Sequence, residues 1–251
     1  MLKKLKKVFP TVISAVLCVA MALGMTVSAQ PVESKWNECK KLINSNFDQQ
    51  YIDLAIKYSQ KESKNTVVFS KSRTKKFIDK VNKAIKSNKQ EFSIELSDKN
   101  NFEFIACKGA KAKYVYYEED YRGCDCAVIF SDGKTATLLS LENKTKATTR
   151  NDESLFDLEA DSSDIAEPDQ KGKLFKFKSG DKIYYYEEFV TNGYYEEIFG
   201  MLFNESGEPL AAIVDDAAFC VSFKTTVDDS EFDIPKGYKT VDYDDFDYKI
   251  F

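Results

Sequence analysis

The sequence predicts an α+β protein in which N-terminal helices pack on a curved antiparallel β-sheet of about nine or ten strands. Three observations carry this. Apolar residues recur every three or four positions across residues 31–61 and again across 72–87, the period of a helix with one buried face. From Gln90 onward the period shortens to two, as in a strand with one buried face. Short turn signals separate the alternating runs, and close reversals of this kind join antiparallel neighbours.

The first twenty-nine residues read as an address. Lys3, Lys4, Lys6 and Lys7 precede a mostly apolar run from Val8 to Val27, and Val27-Ser28-Ala29 places small or medium residues before Gln30. This is the pattern of a secretory signal peptide cleaved after Ala29, so the expected location is extracellular or in the cell envelope. The other reading is an uncleaved anchor, since the apolar run approaches spanning length. No second run of that length follows, so the mature chain is not expected to span a membrane.

Residues 30–70 form a helical extension. Trp36, Cys39, Ile43 and Phe47, then Tyr51, Leu54, Ala55 and Tyr58, keep helical spacing. A capping signal at Ser45-Asn46, with Asp48 close behind, suggests two helices rather than one. Thr66–Phe69 is a short apolar run, a strand fragment or loop anchor. The helix at 72–87 buries Phe77, Val81 and Ile85, with Ile78 and Ala84 beside them. Its other face carries Lys71, Arg73, Lys75, Lys76, Lys80, Lys83, Lys86 and Lys89 against Asp79 alone. Such a face either contacts an anionic surface, lipid headgroups or a cell-wall polymer, or is simply solvated.

Alternating runs follow at Phe92–Leu96, Phe102–Ala106, Ala112–Tyr116, Cys126–Ser131 and Lys134–Leu141, with the Asp132-Gly133 hairpin signal between the last two. Residues 150–170 form an acidic loop without the spacing of a calcium site. Leu174–Lys178, Lys182–Val190, Tyr194–Phe203, Leu210–Val214 and Ala217–Thr226 complete the meander, punctuated by Ser179-Gly180-Asp181, Asn192-Gly193 and Glu205-Ser206-Gly207-Glu208. Residues 71–240 are read as one domain and 241–251 as an acidic tail.

Composition narrows the function. The chain has 251 residues, 36 Lys+Arg and 41 Asp+Glu, a net charge of −5. Without residues 1–29 the imbalance is larger, because that segment holds four lysines and no acid. Surplus acid argues against nucleic acid as a partner, which needs cations facing phosphate. The absence of histidine excludes Ser-His-Asp and Cys-His catalysis and His-ligated zinc. No catalytic residue, metal site or cofactor is expected. The one carboxylate constellation worth naming is Glu187-Glu188 and Glu196-Glu197 about the Asn192-Gly193 turn, where Glu188 and Glu196 are expected to face one another. Such pairs are more often a solvated face, and the reading is non-enzymatic.

Five cysteines follow residue 29: Cys39, Cys107, Cys124, Cys126 and Cys220. Their odd number leaves at least one thiol outside any intramolecular bridge, and the pairing stays open. A Cys107–Cys124 bridge is disfavoured, because the meander puts the two at opposite ends of a strand.

Three stretches then carry a resemblance. Phe77–Ile85 leading into Phe92-Ser93-Ile94-Glu95-Leu96, Val128–Lys134 followed by Leu141 and Lys144, and Phe232-Asp233-Ile234-Pro235-Lys236-Gly237-Tyr238-Lys239 occur in an order that resembles the LolA-like superfamily, the half-barrel lipoprotein carriers and lipid-handling proteins of bacterial envelopes. The resemblance covers about residues 71–240. It implies a half-barrel that shelters acyl chains between helices and a concave sheet. The expected lining is one alternating set: Phe92, Ile94, Leu96, Phe102, Phe104, Tyr114, Tyr116, Val128 and Phe130. Read from the residues alone, the same set serves equally as the core under a helix. Two functions therefore stand open: a binding protein for a lipid or other apolar ligand, and a cell-surface module with a filled core that contacts an envelope protein, polymer or glycan.

Overall fold

The computed structural model describes residues 32–43, 47–87, 90–120, 123–150, 165–191, 197–215 and 217–246. The expected signal peptide, most of the acidic loop, and the turn at Asn192-Gly193 with Tyr194, Tyr195 and Glu196 lie outside these residues.

The fold is α+β with antiparallel sheet, as expected. It falls into two compact units. Among the described residues, unit I comprises 47–85 and 165–223, and unit II comprises 32–43, 86–150 and 224–246. The two helices of 30–70 are thus divided between the units. Three helices are described: α1 (Val32–Leu42), α2 (Gln49–Ser59) and α3 (Arg73–Ile85).

Unit I carries β1 (Thr66–Val68), β8 (Lys171–Ser179), β9 (Lys182–Val190), β10 (Ile198–Asn204), β11 (Pro209–Val214) and β12 (Ala217–Lys224), hydrogen-bonded in that order. Unit II carries β2 (Phe92–Ser97), β3 (Phe102–Lys108), β4 (Lys111–Asp120), β5 (Gly123–Ser131), β6 (Thr135–Ser140), β7 (Thr145–Arg150) and β13 (Lys239–Thr240), again in order. Every pairing within the units is antiparallel except β13 with β7.

The described residues hold thirteen strands where about nine or ten were expected. The additions are β7 and β13, together with β1, which falls on the expected strand fragment at Thr66–Phe69. Strands β1 and β13 are only three and two residues long. Strand β7 reads TKATTR, with Ala147 as its one buried residue, so it has no alternating apolar run to recognise. Its threonines favour extended backbone all the same.

Local chemistry fixes the helix and turn boundaries. Helix α2 starts at Asp48, whose carboxylate accepts from the Gln50 amide at 3.0 Å. Ser72 precedes α3: its Oγ accepts from the Lys75 amide at 2.9 Å and donates to the Phe69 carbonyl at 2.7 Å. At the β5–β6 turn, Asp132 Oδ1 accepts from the Lys134 and Thr135 amides at 2.8 and 2.7 Å. These bonds hold its carboxyl below the usual carboxylate range. Gly133 follows at φ +88°, a backbone conformation that side chains resist.

In unit I, helices cover both faces of the sheet. Helix α2 packs on Tyr184, Tyr186, Leu202, Ala211 and Ile213, and Tyr58 stacks on Phe177 with ring centroids 3.7 Å apart. Register puts Tyr185, Glu187 and Phe189 on the other face. There Phe69 meets Phe189 edge-on at 5.1 Å, and α3 brings Phe77 to Phe223 at 5.7 Å.

Candidate functional site

The register of unit II decides which expected lining residues share a face. Residues directly opposite in an antiparallel pair point the same way. Phe92, Ile94 and Leu96 oppose Cys107, Ile105 and Glu103, and these oppose Ala112, Tyr114 and Tyr116. Ile129 and Ala127 of β5 continue that face opposite Tyr114 and Tyr116. The other face carries Phe102 and Phe104, then Tyr117 and Val115, then Cys126, Val128 and, opposite Lys113, Phe130.

The nine expected residues therefore do not form one lining. Phe92, Ile94, Leu96, Tyr114 and Tyr116 lie on one face, and Phe102, Phe104, Val128 and Phe130 on the other. The physical reason is loop length. All nine have even numbers, but the loops joining β2 to β5 hold four, two and two residues, as the closing pairs Ser97–Phe102, Lys108–Lys111 and Asp120–Gly123 mark. A loop with an even number of residues puts even-numbered positions opposite odd-numbered ones, so the face changes parity at every strand.

Helix α1 covers one of these faces. Cys39 and Ile43 pack with Phe102, Phe104, Val115, Tyr117, Val128, Phe130, Leu139 and Leu141, and Val227 joins them. Lys113 lies within this layer with its side chain 5% exposed. Its ammonium donates to the Leu42 carbonyl at the end of α1 and to Glu231 Oε2 at 2.9 Å, and lies 5.4 Å from the Phe104 ring centroid. A cation at a helix C-terminus satisfies carbonyls that have no partner within the helix and complements their dipole.

The opposite face, which we call the Phe92 face, is as apolar as the one under α1. Phe92, Ile94, Leu96, Ile105, Tyr114, Tyr116 and Ile129 are all between 2 and 7% exposed. One carboxyl interrupts it. Glu103, 5% exposed, sits between Leu96 and Tyr116 in register, and its Oε1 accepts from the Tyr114 hydroxyl at 3.0 Å. Burial pushes its pKa up to about 8, against the lowering effect of that hydrogen bond. The Tyr114 phenol is in turn pushed up by burial and by the neighbouring Glu103. Tyr114 and Tyr116 stack with ring centroids 6.5 Å apart, and the Tyr116 hydroxyl bonds Glu118. Cys107 is a buried free thiol on the same face, and desolvation pushes its pKa up to about 12, which leaves it protonated and inert.

The expected carboxylate constellation of unit I is differently arranged. Glu188 opposes Gly200 in the ladder, and the expected partner Glu196 lies outside the described residues. Glu187 and Glu188 lie on opposite faces, and each has structural partners. Glu187 accepts from the Arg73 and Thr74 amides at 3.1 and 2.9 Å and from the Thr74 hydroxyl at 2.9 Å, so a strand carboxylate caps α3 from 113 residues away. Glu188 accepts from the Tyr186 hydroxyl at 2.9 Å and pairs with Lys173 at 2.6 Å. Gly200 makes room for that phenol: a Cβ there would stand 2.2 Å from the Tyr186 oxygen. Among the described residues no group of three or more His, Cys, Asp or Glu could hold a metal ion, and no helix is long and apolar enough to cross a membrane.

Sequence reasoning missed Glu103 and Lys113, and it singled out Glu187 as part of a carboxylate constellation rather than as the cap of α3. The signal for Glu103 was present, a charged residue within the alternating run FEFIAC, but its face follows only from the register.

No family model matches the chain, and no curated protein matches it. Among solved structures, it is similar to an uncharacterized conserved protein from Thermus thermophilus, at 10% identity and a TM-score of 0.35 over 68% of this chain and 99% of that one. It is also similar to MucB, at 10% identity and a TM-score of 0.33 over 66% of this chain and 64% of that one. Likeness at this level carries no argument about fold or function.

Proposed function

We propose that the chain is an exported, non-enzymatic binding protein of the half-barrel kind, released from its signal peptide after Ala29, that holds a lipid or other apolar ligand against the Phe92 face of unit II. The observation that carries this reading is the second apolar face. An antiparallel sheet covered by one helix needs only one apolar side and normally turns polar residues to water on the other. Here the side away from α1 is aromatic and aliphatic through four consecutive strands. Affinity would come from buried apolar area, roughly 25 cal/mol per Å² before the costs of association.

A second reading is the surface module with a filled core, whose partner is an envelope protein, polymer or glycan. It is favoured by the low exposure of the Phe92 face, 2 to 7% for its large side chains. One experiment separates the two. Residues 30–251 are purified without detergent and compared by native and denaturing mass spectrometry with organic extraction. A lipid-sized mass that is lost on denaturation and displaced by an apolar dye supports the carrier. A chain that is empty and excludes the dye refutes it and leaves the filled-core module.

A further inference from the structure

We propose that the outer face of α3 is a docking surface for an anionic membrane, held by electrostatic contact of Lys76, Lys80 and Lys83 with lipid headgroups. This inference stands on unit I alone and is independent of whether unit II binds a ligand.

The helix divides its residues sharply. Thr74, Phe77, Ile78, Val81 and Ala84 are buried, whereas Lys76, Lys80 and Lys83 are exposed. Their spacing sets the three ammonium groups within an arc of about 60° along roughly 10 Å of helix. None of the three has a carboxylate partner among the described residues. The single acid of the helix, Asp79, is taken by an ion pair with Lys75.

The cationic surface extends beyond the helix. The ammonium of Lys176, on β8, lies 5.5 Å from the Tyr185 ring, over which the Arg73 guanidinium also lies at 3.5 Å while it pairs with Glu187 at 3.8 Å. Lys176 is exposed, as is Lys71 just before the helix. The positive groups thus occupy two separate elements rather than one track.

That arrangement favours a membrane over a linear polyanion. Lipid headgroups diffuse laterally and gather beneath cations wherever these lie. A polyphosphate or nucleic acid needs a continuous groove and meets more of the surface of a chain whose net charge is −5. A membrane meets one face only. The patch has no exposed large apolar residue among its members, so adsorption is electrostatic and reversible rather than insertive.

The test uses sedimentation with vesicles of phosphatidylcholine alone and of phosphatidylcholine with phosphatidylglycerol. It is run on the full chain and on residues 30–251, with variants compared within each form. The patch variant is K76Q/K80Q/K83Q. The control, K182Q/K236Q/K239Q, removes the same charge from exposed lysines elsewhere. Thermal unfolding checks that both variants remain folded. Each lysine near an anionic surface is worth about five-fold in partitioning, so the patch variant should bind the mixed vesicles roughly 100-fold more weakly. The control should bind within about three-fold of the parent, and salt at 1 M should abolish binding by shortening the screening length to about 3 Å. Three results would each overturn the proposal: no preference for anionic vesicles, equal losses in both variants, or patch-dependent binding of soluble polyphosphate without vesicle binding.

Discussion

Replacing Glu103 by glutamine should change how the protein's stability depends on pH. In the folded chain the carboxyl titrates at about 8, against an ordinary value of 4.5, because burial on the Phe92 face disfavours its charged form. Between those two values the folded state holds a proton that the unfolded state has released. Stability contributed by the neutral acid is complete below pH 4.5, declines as pH rises, and is lost once the pH passes 8. Each pH unit of that interval is worth about 1.4 kcal/mol, so the full loss is roughly 5 kcal/mol. Among the described residues burial dominates, and the Tyr114 hydroxyl opposes it. Glutamine keeps the shape and hydrogen-bonding capacity but cannot ionise. The assay is urea unfolding of the parent and E103Q from about pH 4 to 9, read as the difference between them at each pH. The parent should lose ground steadily from about pH 5 to 8 and then hold level. A difference that stays flat across this range would refute the burial argument.

Three further outcomes follow from the packing. G200A places a methyl group 2.2 Å from the Tyr186 oxygen and should cost about 1–3 kcal/mol in chemical unfolding, and Y186F in the same chain should recover only part of that loss, because a ring carbon 2.8 Å away remains. K113M keeps the apolar stem but strands the Leu42 carbonyl and Glu231, so unfolding should show a loss of about 1–3 kcal/mol, with hydrogen exchange rising first in α1. E187Q removes the charge at the cap of α3 and turns one of its two acceptor oxygens into a donor, and a loss of about 1–2 kcal/mol in chemical unfolding is expected, smaller than that of E187A.

Helix α3 and the Asp132-Gly133 hairpin were legible because period and turn chemistry agree there. The two-helix reading of 30–70 was also legible, although the cap proved to be Asp48 rather than Ser45-Asn46. The candidate site was only half legible. Strands β2 and β3 are buried on both sides, with every residue of β2 below the exposure of a half-buried strand, so alternation no longer distinguishes inside from outside. What separates Ile94 from Phe104 is the four-residue loop at 98–101, which shifts the parity of the face. Contacts such as Lys113 with Leu42 and Glu187 with Thr74 join residues 71 and 113 positions apart, and no local pattern announces them.

The interrupted course of unit I orders its assembly. Strand β1 ends at Val68 and meets β8 at Lys171, with the whole β2–β7 meander in between. That meander joins only sequential neighbours, so it closes hairpin by hairpin at small entropic cost. Helices α2 and α3, by contrast, have apolar faces whose covering strands lie a hundred or more residues later in the chain. The ring that Phe77 meets edge-on, Phe223, lies on β12, the last strand of unit I in the chain. The span from residue 68 to 171 is the long loop that unit I has to close, and by its length alone it costs more chain entropy than any hairpin of the meander.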